Sequence, residues 1–374
     1  MADNSLKLQG EFYKRKADEI YSSVAELHAY NVAKMQKTRQ QTANLAELVA
    51  IADGENLLIK NASGKEFEPS NFAYSKLVQA VGGSMPWFDK LDASMIAKNL
   101  NYGFKACVKQ PLNNDKLEPW QLDESGRIVD TNCKLISLEN GSNELINVTG
   151  ARYNLVFDAQ LSELGLKLEE KFGLLPAPAN KGHHGLYASD RDCFLFLSTL
   201  DKPVLTFANS PIYRGVMLWN GFDSTLGVSL FLLSGVCSNY SIHQFTEKYS
   251  IEARHSAKLW EKVKFNDIAE NLAKAFDADT QIEQKFLTAA TTVELAQDDE
   301  GLVEVMLSLR DPLLGKKASE RIIELAKESE GIYGNPRTPW SIGNVVTEIG
   351  RDRPFASARR AYMQTAQRIF DLAA

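Results

Sequence analysis

A basic excess is the first thing this chain lacks. Lysine and arginine number 42 against 48 aspartates and glutamates, leaving a net charge of −6. The protein as a whole therefore has no attraction for nucleic acid or an anionic membrane, and any such binding needs a local basic patch. Cysteine is sparse as well. Cys107, Cys133, Cys193 and Cys237 lie far apart with no C-x-x-C pair, which fits a reducing cytoplasm better than a disulfide scaffold. Cys193 and Cys237 sit inside apolar runs, where a free thiol behaves as a small hydrophobe. Long hydrophobic runs are missing too. The longest uncharged window, 224–246, holds about eleven consecutive mostly apolar residues, short of the roughly 20 that cross a bilayer. The opening MADNSLKLQGEFYKRKADE has no apolar core of a secretory signal. These absences predict a soluble, cytoplasmic protein with no membrane partner. The chain also has no G-x-x-x-x-G-K-[ST], no G-x-S-x-G and no glycine-rich dinucleotide fingerprint. P-loop nucleotide hydrolysis and serine-hydrolase chemistry are not expected, and no catalytic residue is assigned.

What is present is an ordinary globular composition, 44% hydrophobic and 24% charged, over 374 residues. That length buries one large core or two ordinary ones. Four segments follow from the pattern. Residues 1–69 read as an N-terminal helical segment, with Ile20, Val24, Leu27 and Val32 at helical spacing, continuing apolar to Gly54. A hairpin then runs from Leu57 to Ile59 and returns through Phe67 after a turn at 61–64. Residues 70–165 begin with a helix-turn-helix-like unit. Ser70 or Asn71 caps a first helix, Gly82-Gly83 stops it, Ser84 and Pro86 start a second, and Asp92 or Ser94 caps a third. Three short helices on one core give the same pattern, and PWFDKL supplies only Lys90 as a DNA-reaching cation. Strand-like stretches follow to 158, with a second strand expected after Gly150, then a helix over 161–172.

Residues 166–240 are the central sheet segment, entered through the connector LLPAPANKGHHG. Three apolar runs (193–197, 215–219 and 226–236) are each bounded by Asp, Asn, Gly or Ser and read as buried strands. Phe194, Phe196, Val216, Leu218, Val228, Leu230 and Leu232 are the predicted core. Residues 241–374 read as a C-terminal helical region. The fold class expected is α+β, with a central, mostly antiparallel sheet covered by N- and C-terminal helices.

Several constellations carry candidate chemistry. In a strand, Asp190 and Asp192 would share a face with Arg191 on the other, and Asp223 or His183 could complete a divalent-metal shell. The bland alternative is a set of ion pairs at a sheet rim. His183 and His184 are adjacent and diverge on any regular element. Arg191 and Arg214 mark strand ends in the central segment, and Arg254 with His255 on a helix suits phosphate. Lys14, Arg15, Lys16, Lys34, Lys37 and Arg39 make the N-terminus basic. Near the C-terminus, Arg351, Arg353, Arg359, Arg360 and Arg368 interleave with Trp340 and Phe355. Basic residues alternating with aromatics suit a single-stranded nucleic acid, where backbone charge and base stacking share the binding. A solvated helix face explains the same residues.

With these segments in view, the chain resembles the phage- and plasmid-related family known as domain of unknown function 932. The matching pieces run in order over roughly residues 70–355. They are AYSKLVQAVGGSMPWFDKL, AKNLNYGFK, TGARYNLVFD, GLYASDRDCFLFL, YRGVMLWNGFDSTLGVSLFLLSGVCSN, ARHSAKLW and TPWSIGNVVTEIGRDRP. The most specific are the SDRD and WN…VCSN stretches. The family has Ser-Glu after the Asn, where this chain has Gly221, Phe222 and Asp223. The resemblance implies a phage, prophage or plasmid setting and brings no catalytic residue. Together with the basic–aromatic termini, it leads to the expectation of a mobile-element protein that binds, protects or anneals single-stranded DNA without catalysis, and that forms a homo-oligomer. Two alternatives stand beside it: a metal-dependent, nuclease-like enzyme centred on Asp190 and Asp192, or a protein that blocks host defence by binding a host protein.

Overall fold

A computed structural model of the chain describes residues 15, 17–106, 132–139, 141–178, 183–201, 203, 205–207, 210–222, 225–234, 239–241, 251–255, 265–276, 281–351 and 353–373. Two compact units emerge, one taking Met1–Lys16 with Val32–Leu155 and the other Ala17–Asn31 with Val156–Ala374. The four segments of the sequence pattern thus group into two cores. The chain passes between them after Lys16, again inside its first described helix, α1 (Val24–Lys37), and again between Leu155 and Val156. Before α1 comes a two-residue strand, β1 (Glu19–Ile20).

The first unit is a six-stranded sheet with helices on one face. Its elements are β2 (Thr38–Asn44), β3 (Val49–Asp53), β4 (Asn56–Lys60), β5 (Glu66–Pro69), α2 (Asn71–Ala80), α3 (Met85–Phe88), α4 (Ala93–Ala106), β6 (Asn132–Glu139) and β7 (Asn143–Gly150). The strands run in the order β2-β6-β7-β5-β4-β3, antiparallel except for β5 beside β7. The expected hairpin is present as β4–β5, turned by Gly64 at φ +86°, a conformation open to glycine at little cost. The Ser70 side chain accepts from the Ala73 N–H and starts α2, and Asp92 accepts from the Met95 N–H at the start of α4. Leu77, Val78, Ile96, Leu100 and Phe104 from the helices meet Leu57, Ile59, Phe67, Leu135 and Leu145 from the sheet. Burying each such side chain contributes about 1.5–3 kcal/mol.

One expectation fails here. The N-terminal segment reads as helical to residue 50 and apolar over 42–53, yet 38–53 forms β2, a single 3-10 turn at Leu45–Glu47, and β3. Thr38 and Thr42 are β-branched and stiff in a helix. Leu48 and Ala50 alternate with the exposed Val49, a period of two that pairs with β4.

The second unit is a nine-stranded antiparallel sheet covered by helices. It contains β1, the first turns of α1, α5 (Asp158–Phe172), β8 (Leu175–Pro176), β9 (Leu186–Ala188), β10 (Asp192–Ser198), β11 (Leu205–Phe207), β12 (Ser210–Gly221), β13 (Thr225–Ser234), β14 (Asn239–Ser241) and β15 (Ile251–Arg254). The helices α6 (Phe265–Phe276), α7 (Gln281–Thr292), α8 (Asp299–Ser308), α9 (Lys316–Glu328), α10 (Glu330–Tyr333), α11 (Pro339–Arg351) and α12 (Ala356–Phe370) complete it. The main path of the sheet is β1-β9-β10-β12-β13-β14.

Alternation along the strands divides this core. Cys193, Leu195, Leu197, Val216 and Leu218 face Val24 and Leu27 of α1 and Leu161, Leu164 and Leu168 of α5. Tyr187, Phe194, Phe196, Met217 and Trp219 face Ala356 and Met363 of α12. Phe194, Phe196, Val216 and Leu218 are buried as expected, while the side chains of Val228, Leu230 and Leu232 lie outside the described ones. The α+β class holds, with mostly antiparallel β-structure flanked by N- and C-terminal helices, though it is divided between two sheets. Two local expectations are corrected. Residues 151–157 form a turn and irregular chain, because the Tyr153 N–H closes a turn onto the Gly150 carbonyl at 3.0 Å. Residues 251–254, expected to start a helix, form β15 because they pair with Thr225–Val228. No helix among the described residues is long and apolar enough to cross a membrane.

Candidate functional site

The polar end of the nine-stranded sheet is the first place to look. Register puts Asp192 opposite Gly221, Gly221 opposite Thr225, and Thr225 opposite Arg254. Four strands thus bring these residues to one rim. His255 follows Arg254 and is buried, while Arg254 is exposed. Asn220, one residue in from the rim, donates to the Asp158 carboxylate at 2.7 Å and to the Val156 carbonyl at 3.1 Å. That side chain ties β12 to the start of α5.

The geometry expected for Asp190, Arg191 and Asp192 does not form. Asp190 and Arg191 are the two central residues of the hairpin turn joining β9 to β10. The Ser189 N–H donates to the Asp192 carbonyl at 2.8 Å, and the Ser189 hydroxyl accepts from the N–H groups of Arg191 and Asp192. Strand alternation never applies to them, so the two carboxylates do not share a strand face. Arg191 Nε lies 4.0 Å from the Asp190 carboxylate. Asp223, the third proposed ligand, lies outside the described residues. Among the described residues no group of three His, Cys, Asp or Glu side chains is placed to hold a metal. Melting in millimolar magnesium or manganese tests the pair directly, and an unmoved midpoint is the outcome if the turn holds no ion. A rise that Asp190→Asn removes would restore the metal site.

The basic residues expected to form one path are dispersed. Arg214 is buried and stands six positions along β12 from Asn220, about 20 Å at strand rise, so it does not join Asp190, Arg191 and Asp192. Trp340 is a correction. It is 6% exposed in the core of α11, with Phe370 at 6.1 Å, and offers no face to a base. Arg351 pairs with Glu348 at 3.4 Å. Arg353 is exposed, with its guanidinium 5.0 Å from the centre of the Tyr362 ring, and it donates to the Tyr362 hydroxyl.

Arg359 and Arg360, each half-buried, do alternate with aromatics, but with those of their own sheet. Tyr187, Phe194 and Trp219 are cross-strand neighbours on the face toward α12. Arg359 lies over Tyr187 at 4.5 Å and Arg360 over Trp219 at 3.9 Å. A guanidinium on a ring is worth about 0.5–2 kcal/mol, more when desolvated, so the helix uses these two residues to dock on its own sheet. The Asp18 carboxylate accepts from the Ala356 N–H at the start of the same helix.

An exposed basic–aromatic surface does exist, in the other unit and on residues outside the expected set. Met95, Lys98, Tyr102 and Lys105 recur at spacings of three and four along α4 and so share one stripe. Ile96, Ala97, Leu100 and Phe104 form the opposite, buried stripe. Tyr102 is 72% exposed, and Trp87 of α3, earlier in the same unit, is 49% exposed. Lys90, Lys98 and Lys105 are all exposed. Helix α4 contains no acidic residue. Of the two acids just before it, Asp92 is engaged as the cap, and burial pushes the Asp89 carboxyl above its usual range.

Close packing holds this helix in place. A Cβ on Gly103 would sit 2.4 Å from the Val81 side chain, and one on Gly83 would meet Phe88 at 2.4 Å. A signal for the stripe is present in the sequence, as the absence of Asp and Glu from 93–106 together with the spacing of Lys98, Tyr102 and Lys105. A helix-turn-helix pattern points instead to the second helix, which proves to be a single turn. Compared with protein families, curated proteins and solved structures, the chain matches none.

Proposed function

We propose that this chain is a mobile-element protein that binds single-stranded DNA, to protect or anneal it, without catalysis, and that α4 with Trp87 is its contact surface. The observation that carries the proposal is the acid-free stripe in which exposed lysines alternate with an exposed tyrosine. Each lysine that neutralises a phosphate releases counterions, and Tyr102 and Trp87 offer faces on which unpaired bases stack for about 1–3 kcal/mol each. A duplex hides its base faces, so it can use only the lysines. The net charge of −6 opposes approach elsewhere, which concentrates binding where the field is locally positive. The phage or plasmid setting rests on the family resemblance of 185–197 and 213–239.

The test is a titration of single-stranded and duplex oligonucleotides at several salt concentrations. Affinity for the single strand should fall with salt by roughly 0.7 log units per log unit of salt for each phosphate contacted. Lys98→Glu with Lys105→Glu should therefore reduce the slope by roughly 1.4. Tyr102→Ala should weaken single-strand binding about 5- to 150-fold, the stacking range converted at 1.4 kcal/mol per decade, with the salt slope intact. A salt-insensitive complex, or no binding at low salt, would remove this function and favour a host-protein partner.

A further inference from the structure

The two edges of the six-stranded sheet are treated differently. At the β3 edge, the Asn101 carboxamide of α4 accepts from the Ala50 N–H at 2.7 Å and donates to the Ala50 carbonyl at 2.8 Å. One side chain thereby occupies both backbone groups of Ala50 on that edge, hindering the approach of another chain. At the β2 edge nothing comparable is found among the described residues. β2 pairs with β6 along all seven residues, Thr38 with Leu138 through Asn44 with Asn132. At its start the Thr38 carbonyl accepts from the guanidinium of Arg39. From Arg39 to Asn44, no strand, helix or side chain among the described residues bonds to the outward backbone. The strand contains no proline, and its ladder with β6 runs without a bulge from 38 to 44. Proline and bulges are the devices by which proteins usually blunt an exposed edge.

We infer that β2 is a self-pairing edge, and that a second copy of this chain adds its own β2 there in antiparallel register about a two-fold axis. The charge pattern favours this occupant. Arg39 is the only charged residue in β2, and it is already paired with Glu139 at 3.1 Å. With Gln41 on the axis, Arg39 of one copy faces position 43 of the other. The two arginines then stand about four residues, or ~13 Å, apart. Gln40 faces Thr42 of the second copy and Thr42 faces its Gln40, both polar pairs suited to an exposed face. Such an interface is isologous and closes at two subunits, and the two six-stranded sheets become one of twelve.

Sedimentation velocity over a wide range of concentration tests this on the full chain. A reversible monomer–dimer equilibrium is expected, with dimer formation weakened about tenfold or more by Gln40→Glu combined with Thr42→Glu. In that variant two acids face two acids across the axis. Both positions are exposed in the single chain, so the dilute variant should melt as the parent does. Val49→Glu on the guarded β3 edge should leave the dimer intact. Amide exchange within 39–44 should slow as concentration rises in the parent and not in the Glu pair, a readout that stands even if the variant's stability changes. A monomer at every concentration overturns the inference. So does a dimer indifferent to the Glu pair, or one lost with Val49→Glu instead. Single-strand binding by α4 is measured separately, and neither its presence nor its absence bears on whether β2 pairs with itself.

Discussion

Phe104→Ala is expected to cost about 3–5 kcal/mol of the stability of the six-stranded unit. Phe104 is fully buried where α4 meets the sheet, among Leu77, Leu100, Leu57 and Leu135. Removing its ring leaves a cavity between a helix and a sheet whose backbones cannot close over it. Two residues earlier the same helix turns Tyr102 to solvent, where truncation should change stability by no more than about 0.5 kcal/mol. A denaturant titration of the two variants, with amide exchange read over 93–106, separates the roles. Phe104→Ala should lower the midpoint and deprotect α4, and Tyr102→Ala should do neither while losing single-strand affinity. A Phe104→Ala cost below about 1 kcal/mol would mean that the buried stripe of α4 is not enclosed as described.

Gly227→Ala should be the most damaging single-methyl change in the nine-stranded unit. A Cβ at this position would lie 1.8 Å from the Trp219 ring, because Gly227 stands directly opposite Trp219 in the ladder and the indole lies across it. One of the two must move. A displaced indole also leaves the guanidinium of Arg360, now 3.9 Å from the ring centre, so the strain passes to α12. Overpacking of this kind costs about 1–3 kcal/mol, and the lost stacking adds to it. A double-mutant cycle gives the decisive measurement. In a Trp219→Leu background the added methyl should cost much less, leaving a coupling of about 0.5–3 kcal/mol. Strict additivity of the two changes would contradict the contact.

How much of this could be read from the chain alone depends on how local each signal is. Caps and turns are local, and Ser70, Asp92, Gly64 and the β4–β5 hairpin all stand where the residues placed them. Apolar runs bounded by turn formers are local too, and β10, β12 and β13 follow them. The polar 38–44 and the apolar 45–53 carry no turn signal between them that separates a helix from two strands, and pairing with β6 and β4 selected the strands. Asp190 and Asp192 alternate on paper, but the Ser189 hydroxyl folds them into a turn, and no periodicity reveals that.

The sequence by itself determined the α+β class, the buried strands and the capped helices, because each rests on residues within a few positions of one another. Only the tertiary structure decided which charged and aromatic residues face outward. Arg359, Arg360 and Trp340 look as available in the sequence as Lys98, Tyr102 and Lys105. The first three are taken up by Tyr187, Trp219 and Phe370, all of them distant in sequence. The lysines and tyrosine of α4 stay exposed because the opposite stripe of the helix is the one that the sheet buries. Exposure belongs to the packed arrangement, since a side chain is free only when no other part of the chain gains by covering it.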